Sequence, residues 1–79
     1  MTKFRQGMKF RHDNTVDTDI VIVSVDHEDL DCVTVTVMYV SQASGRPLFQ
    51  KDGERLGKQQ ITIKNVDYDK WKHVVEEES

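Results

Sequence analysis

The chain has 79 residues, 32% of them charged, and a formal net charge of −3. This length gives one domain with a small core, which we place over residues 1–79, and no apolar run approaches the roughly 18 residues of a membrane-spanning helix. The single cysteine, Cys32, excludes an internal disulfide and favours a reducing, cytoplasmic location.

Valine and isoleucine dominate the apolar residues, with eleven Val and four Ile against three Leu and one Ala. Since β-branched residues favour strands and Leu and Ala favour helices, the composition predicts an all-β chain. Charge is unevenly distributed along it. Residues 1–12 carry four basic side chains and no acid, whereas residues 13–31 carry seven acids and no lysine or arginine.

The first strand is predicted over residues 8–11, where two apolar side chains, Met8 and Phe10, alternate with basic ones. Residues 12–19 are polar and rich in Asp, Asn and Thr, which indicates a loop. This loop separates the first strand from a longer apolar run.

The second strand is predicted over residues 20–25, which are apolar at all positions but one. Such a continuous run is typical of a central strand covered on both faces. Either alternating set of side chains could face the core, and we favour Val21, Val23 and Val25. The acidic residues 26–31 then form a hairpin tip, because their like charges repel one another and are well solvated.

Residues 33–40 predict the clearest strand of the chain, because apolar and hydroxyl side chains alternate along it. Its apolar face consists of Val33, Val35, Val37 and Tyr39. The opposite face carries the hydroxyl groups of Thr34 and Thr36, which we interpret as exposed scaffold.

Residues 41–60 form the longest irregular stretch and contain four turn signals. The pair Asp52-Gly53 favours a two-residue hairpin turn, which places Lys51 opposite Glu54. We therefore predict a small projecting β-arm within this stretch.

The C-terminal part begins with a strand over residues 61–64, in which two isoleucines alternate with polar residues. The spacing of Tyr68, Trp71 and Val75 fits one face of a short helix. The alternative is a 3₁₀ turn over residues 67–71 followed by a strand over residues 72–76. We favour this second interpretation, because the additional strand covers a sheet edge.

This order of elements resembles that of the small Src-homology-3-like barrels. The opening with Phe4, Gly7 and Phe10 resembles the glycine-containing first strand of many such domains, and the ending with Tyr68 and Trp71 is similar to the β–3₁₀–β close of small barrel proteins often encoded by phages. The resemblance implies an all-β fold, a small five-stranded Src-homology-3-like barrel with a 3₁₀ or short helical turn near the C-terminus. The aromatic-rich first loop of proline-peptide binders has no counterpart here.

Residue types that carry chemistry do not form a recognised motif. The acidic hairpin lacks the glycine and the closing glutamate of a calcium loop. The residues that could bind zinc lack the paired spacing of a zinc site. They are His12, His27, His73 and Cys32. Since nucleophile and phosphate-loop motifs are also missing, we expect a non-enzymatic protein with no catalytic residue, metal or cofactor.

A protein-interaction module is the function that the sequence favours. We expect the first loop, the acidic hairpin and the 3₁₀ turn to converge at one end, away from the basic residues 46–58. Such an end attracts a basic partner surface, which suits a small phage-type accessory or host-modulating protein. The candidate protein-binding residues are Asp26, Glu28, Asp29, Asp31, Asp67, Tyr68, Asp69 and Trp71.

Two alternatives remain open. Small barrels can bind nucleic acid by combining a cationic groove with aromatic side chains, although this chain is acidic overall. The candidates for that function are Lys3, Arg5, Lys9, Arg11, Arg46, Lys51, Arg55 and Lys58. Alternatively, an open sheet edge could join copies by strand addition, which predicts a structural self-associating subunit.

Overall fold

The structure is a computed structural model, and it describes residues 3–48 and 57–75. It contains five strands and one 3₁₀ helix, in the order β1 (Lys9–His12), β2 (Thr18–Glu28), β3 (Cys32–Ser41), β4 (Lys58–Lys64), η1 (Asn65–Lys70) and β5 (Trp71–His73). The strands form one antiparallel sheet in the spatial order β4-β3-β2-β1-β5. The all-β class is confirmed.

The C-terminal prediction of a 3₁₀ segment followed by a strand is confirmed, and the alternative of a short helix with Tyr68, Trp71 and Val75 on one face is wrong. The 3₁₀ helix begins at Asn65, two residues earlier than predicted, and the final strand ends at His73. Strands β4 and β5 are the two edges of the sheet, and within the described ranges they do not pair with each other. Helix η1 connects them along the chain.

The core lies on one face of the sheet and takes side chains from four strands and the N-terminal segment. Alternate residues of β3 supply its centre, because side chains two positions apart share a face. The buried cluster consists of Phe4, Phe10, Ile20, Ile22, Val33, Val35, Val37 and Ile63. Tyr68 and Trp71 pack against this cluster and are half-buried.

The predicted inward face of β2 is wrong for Val21 and Val23, whereas Val25 lies opposite the buried Val35. The structure buries Ile20 and Ile22, whereas Val21 and Val23 are half-buried and Val25 is exposed. Pairing with β3 decides which set faces inward: Ile22 lies opposite Val37, and residues directly opposite in a sheet share a face. Register shifts between Ile22 and Ser24 and between Val25 and His27 then change the alternation along the strand.

In β3 the prediction is confirmed for Val33, Val35 and Val37, which are fully buried. At the end of the strand Tyr39 is half-buried and packs against the core as predicted, and Val40 on the other face is buried as well. Here the chain folds back on β3: Val40 forms an isolated bridge with Pro47, and the Leu48 N–H donates to the Tyr39 carbonyl at 3.0 Å.

Strand β4 begins at Lys58, three residues earlier than predicted, and pairs with β3 from Met38 to Cys32. The predicted β-arm around Asp52-Gly53 lies outside the described residues. Leu48 and Lys58, which flank it, both meet β3 at neighbouring positions. In the part of the chain that the structure describes, no helix has the length and apolar character needed to cross a membrane.

The N-terminal segment contributes a core side chain although it precedes the first strand. The ring of Phe4 is fully buried, 4.5 Å from Phe10 and 5.5 Å from Tyr68 between ring centroids. Beside it, the ammonium group of Lys3 donates to the carbonyl oxygens of Tyr68 and Trp71, at 2.5 and 2.7 Å. These contacts fasten the N-terminal segment to the end of η1.

Candidate functional site

The turn between β2 and β3 projects an apolar side chain into solvent. The Asp29 N–H donates to the Cys32 carbonyl at 2.8 Å, which leaves Leu30 and Asp31 as the two residues of the turn. Leu30 is 94% exposed. This turn is the one place in the acidic hairpin with a large aliphatic side chain.

The start of η1 is fixed against this turn. The Asn65 N–H donates to the Asp31 carbonyl at 2.8 Å, and the Asn65 side-chain amide donates to the Leu30 carbonyl. Asn65 is followed by Val66, which is 82% exposed. Two exposed aliphatic side chains, Leu30 and Val66, therefore lie at the same end of the molecule.

Carboxylates lie on the same two segments as these side chains. Glu28, Asp29 and Asp31 are exposed on the hairpin, and Asp67 lies one residue beyond Val66 in η1. We call this surface the acidic tip; it consists of Glu28, Asp29, Leu30, Asp31, Val66 and Asp67.

Basic side chains lie near two of the carboxylates of the acidic tip. The ammonium group of Lys70 lies 3.3 Å from the Asp67 carboxylate, and His27 Nε2 lies 3.1 Å from the Asp29 carboxylate. Lys64 stands at the same end of the sheet, opposite Cys32. In the described part of the chain, this end therefore carries four carboxylates and two lysines.

Asp26 serves a different purpose from the other hairpin acids. Its carboxylate lies on the polar outer face of the sheet and accepts hydrogen bonds from Ser24 Oγ at 2.6 Å, Thr36 Oγ1 at 2.5 Å and Gln60 Nε2 at 3.1 Å. These bonds, led by the one from Ser24, hold the pKa of Asp26 below its ordinary value. The structure therefore uses this predicted binding residue to join β2, β3 and β4.

The predicted aromatic residues are both half-buried and pack against the core. Tyr68 packs its edge on Phe4, and Trp71 stands edge-on to His12, with 4.8 Å between ring centroids. Trp71 is also paired in register with His12, at the end of the sheet opposite the hairpin. Of the predicted set, the structure brings Glu28, Asp29, Asp31 and Asp67 together, and it places Asp69 farther along η1.

The expected convergence of all acidic loops at one end is wrong. The first loop contacts the other end of the sheet, where the Gln42 N–H donates to the Asp17 carbonyl and the Asp13 N–H donates to the Lys70 carbonyl, each at 2.9 Å. Strand β2, with 11 residues, lies between this loop and the hairpin along the chain. Helix η1 contacts both loops, because Asn65 at its start binds the hairpin turn and the Lys70 carbonyl at its end accepts from Asp13.

Two of the basic residues proposed for nucleic acid bind other groups of the described chain. Lys3 is bound to η1, and Arg11 makes a two-pronged ion pair with Asp19, at 2.9 and 3.1 Å. The hydrogen bond to Asp19 raises the pKa of Arg11 above its ordinary value. Arg5, Arg46 and Lys58 are exposed and Lys9 is half-buried. Lys51 and Arg55 lie outside the described residues.

The described side chains contain no group of three or more His, Cys, Asp or Glu residues placed to hold a metal ion. Searches of protein-family models, curated proteins and solved structures find no match to this chain. The geometry of the acidic tip therefore carries the functional argument.

Sequence reasoning missed Leu30, Asn65 and Val66. A signal for Leu30 was present, because a leucine between two aspartates is unusual where a hairpin normally turns on Asn, Asp or Gly. The role of Asn65 depends on a contact across 34 residues of chain, which no local pattern reveals.

Proposed function

We propose that this protein is a non-enzymatic interaction module, which binds a basic surface of a partner protein through its acidic tip. The observation that carries this proposal is the attachment of the hairpin turn to η1 through Asn65. That attachment gathers two exposed aliphatic side chains and four carboxylates at one end of the molecule.

This arrangement has the composition of a protein-binding patch, an apolar centre with a polar rim. Exposed ion pairs each contribute only about 0.2–1 kcal/mol, so the carboxylates mainly speed association and select a partner of opposite charge. The apolar side chains supply contact area that becomes buried on binding.

We further propose that the sheet belongs to a small Src-homology-3-like barrel in a cytoplasmic accessory or host-modulating protein of phage type. The strand order, the register shifts in β2 and the 3₁₀ helix between the two edge strands support this interpretation. In such a barrel a bent β2 takes part in both halves of the sheet, and loops carry the binding function.

The test replaces two hairpin carboxylates by amides, in Asp29→Asn/Asp31→Asn. The matched control is Asp13→Asn/Asp17→Asn, which removes the same charge from the first loop at the other end of the sheet. Each protein is immobilised and exposed to cell lysate, and the captured proteins are identified by mass spectrometry. We expect a basic protein that the wild type and the control retain and the hairpin variant loses.

Titration of that protein at several salt concentrations completes the test. We expect the hairpin substitutions to lower the association rate and to flatten its salt dependence, because fewer charges steer the encounter. Equal binding by the hairpin variant and the wild type would contradict the proposal. Tight, salt-sensitive binding of DNA or RNA by the wild type would favour the nucleic-acid alternative instead.

A further inference from the structure

The turn at the acidic tip differs from the usual two-residue hairpin turn in its residues and in its backbone conformation. Such turns favour positive φ at one or both central residues, which is why Asn-Gly and Asp-Gly pairs predominate. Here the central residues are Leu30 and Asp31, and within residues 3–48 and 57–75 no residue other than glycine has a positive φ. The turn therefore lacks the backbone geometry that best matches strand twist.

Asn65 supplies support for this turn from outside the hairpin. Its backbone and side-chain N–H groups bind the carbonyl oxygens of both turn residues, Asp31 and Leu30. The conformation of the turn is thus set by a residue from the start of η1. A glycine-containing turn would form without this help.

Leu30 adds nothing to the core that would explain its presence. It is 94% exposed, and its neighbours on both sides are aspartates. A residue that departs from local preference without a structural benefit is a candidate for a functional role. Leucine at this position therefore points to a contact with another molecule.

We propose that Leu30 is the apolar anchor of the acidic tip, and that it binds a partner segment in which an apolar side chain is flanked by lysine or arginine. The charge of the tip selects this partner, since Asp29 and Asp31 lie on either side of the anchor. Val66 extends the apolar contact, and Asn65 is a positioning residue that presents Leu30. This inference rests on the proposed function and names the class of partner.

Two synthetic peptides with equal numbers of lysines test the anchor. One has glycine between the lysines and the other has leucine, and both are titrated by calorimetry at low ionic strength. We expect the wild-type chain to bind the leucine peptide about tenfold more tightly than the glycine peptide. The reason is that burial of the peptide's leucine side chain stabilises the complex, and glycine has no side chain to bury. In Leu30→Ser this preference should disappear.

Val16→Ser is the matched control, because Val16 is also an exposed aliphatic residue, at 80%, but lies in the first loop. It should keep the preference for the leucine peptide, and so should the conservative variant Leu30→Met. Asn65→Ala should weaken the preference, and Asn65→Gln should restore it in part. These comparisons distinguish binding at the tip from nonspecific binding by any exposed apolar side chain.

The outcomes distinguish this inference from the proposed function. A preference that persists in Leu30→Ser, or no preference in the wild type, would overturn the anchor. If Asp29→Asn/Asp31→Asn still weakened binding of the glycine peptide in that case, the attraction to basic partners would stand. If neither set of substitutions changed binding of either peptide, both proposals would fail.

Discussion

At the scale of single residues, Asp26 shows how one carboxylate can join three strands. Its oxygens accept hydrogen bonds from Ser24 in β2, Thr36 in β3 and Gln60 in β4. The sequence placed Asp26 with the acidic hairpin, since the residues that bind it are 2, 10 and 34 positions away along the chain. Only the register of the sheet brings these partners together.

Asp26→Asn should lower the free energy of unfolding at neutral pH, because an amide nitrogen then faces the groups that donated to the carboxylate. The pKa of Asp26 is lowered in the folded state, relative to about 3.9 in an unfolded chain. Its contribution is therefore complete above that unfolded value and is lost as pH falls through the folded pKa. Urea unfolding from neutral to strongly acidic pH measures this, and the wild type should converge on the variant in acid.

The control for charge is Asp13→Asn, which removes one carboxylate from the exposed first loop. If it destabilised the chain at neutral pH as much as Asp26→Asn does, the hydrogen bonds to Asp26 would not be the cause. A constant difference between wild type and Asp26→Asn at all pH values would also contradict the prediction.

At the scale of elements, the sequence predicted where strands lie better than which side faces inward. In β3 the alternation of valine and threonine allows only one face to point inward, and the prediction is confirmed for Val33, Val35 and Val37. In β2 both alternating sets are apolar except at Ser24, so the local pattern does not decide the orientation. Ile20 and Ile22 face the core because β2 pairs with β3, which places Ile22 opposite Val37.

The start of β2 is also fixed by an ion pair to β1. Asp19 is 2% exposed, and Arg11 binds both of its carboxylate oxygens. Arg11→Met should lower the free energy of unfolding, because it removes the charged partner of a buried carboxylate. Urea unfolding at neutral pH measures this loss.

Arg46→Met is the matched control, since Arg46 is exposed, and we expect a change within about 0.5 kcal/mol. The double variant Arg11→Met/Asp19→Leu should recover much of the lost stability, because it leaves no carboxylate unpaired. Equal stability of Arg11→Met and Arg46→Met would show that the pair contributes nothing net.

At the scale of the whole molecule, charge blocks in the sequence did not predict charge placement. The acids of residues 13–31 occupy both ends of β2, because an antiparallel hairpin and the first loop leave this strand in opposite directions. The acidic tip arises only when η1 returns from β4 and binds the turn through Asn65. A candidate site that depends on such a long-range contact could not be predicted from local pattern.

The core as a whole depends on a residue that precedes every strand. A chain of this size buries only about 60% of its unfolded surface, so each large core side chain carries a substantial share of a total stability of about 5–15 kcal/mol. Phe4 is fully buried between Phe10 and Tyr68. It links the first strand to η1, and the contacts of Lys3 with the end of η1 hold it there.

Phe4→Ala should therefore destabilise the fold by about 3–5 kcal/mol, through lost burial and the cavity left behind. Thermal and urea unfolding, followed by circular dichroism and by Trp71 fluorescence, should give coincident transitions at lower temperature and lower urea concentration. Val16→Ala, in the exposed first loop, is the control and should change stability by less than about 0.5 kcal/mol. If Phe4→Ala matched this control, the N-terminal segment would be an appendage, and the sheet with η1 would form a complete core without it.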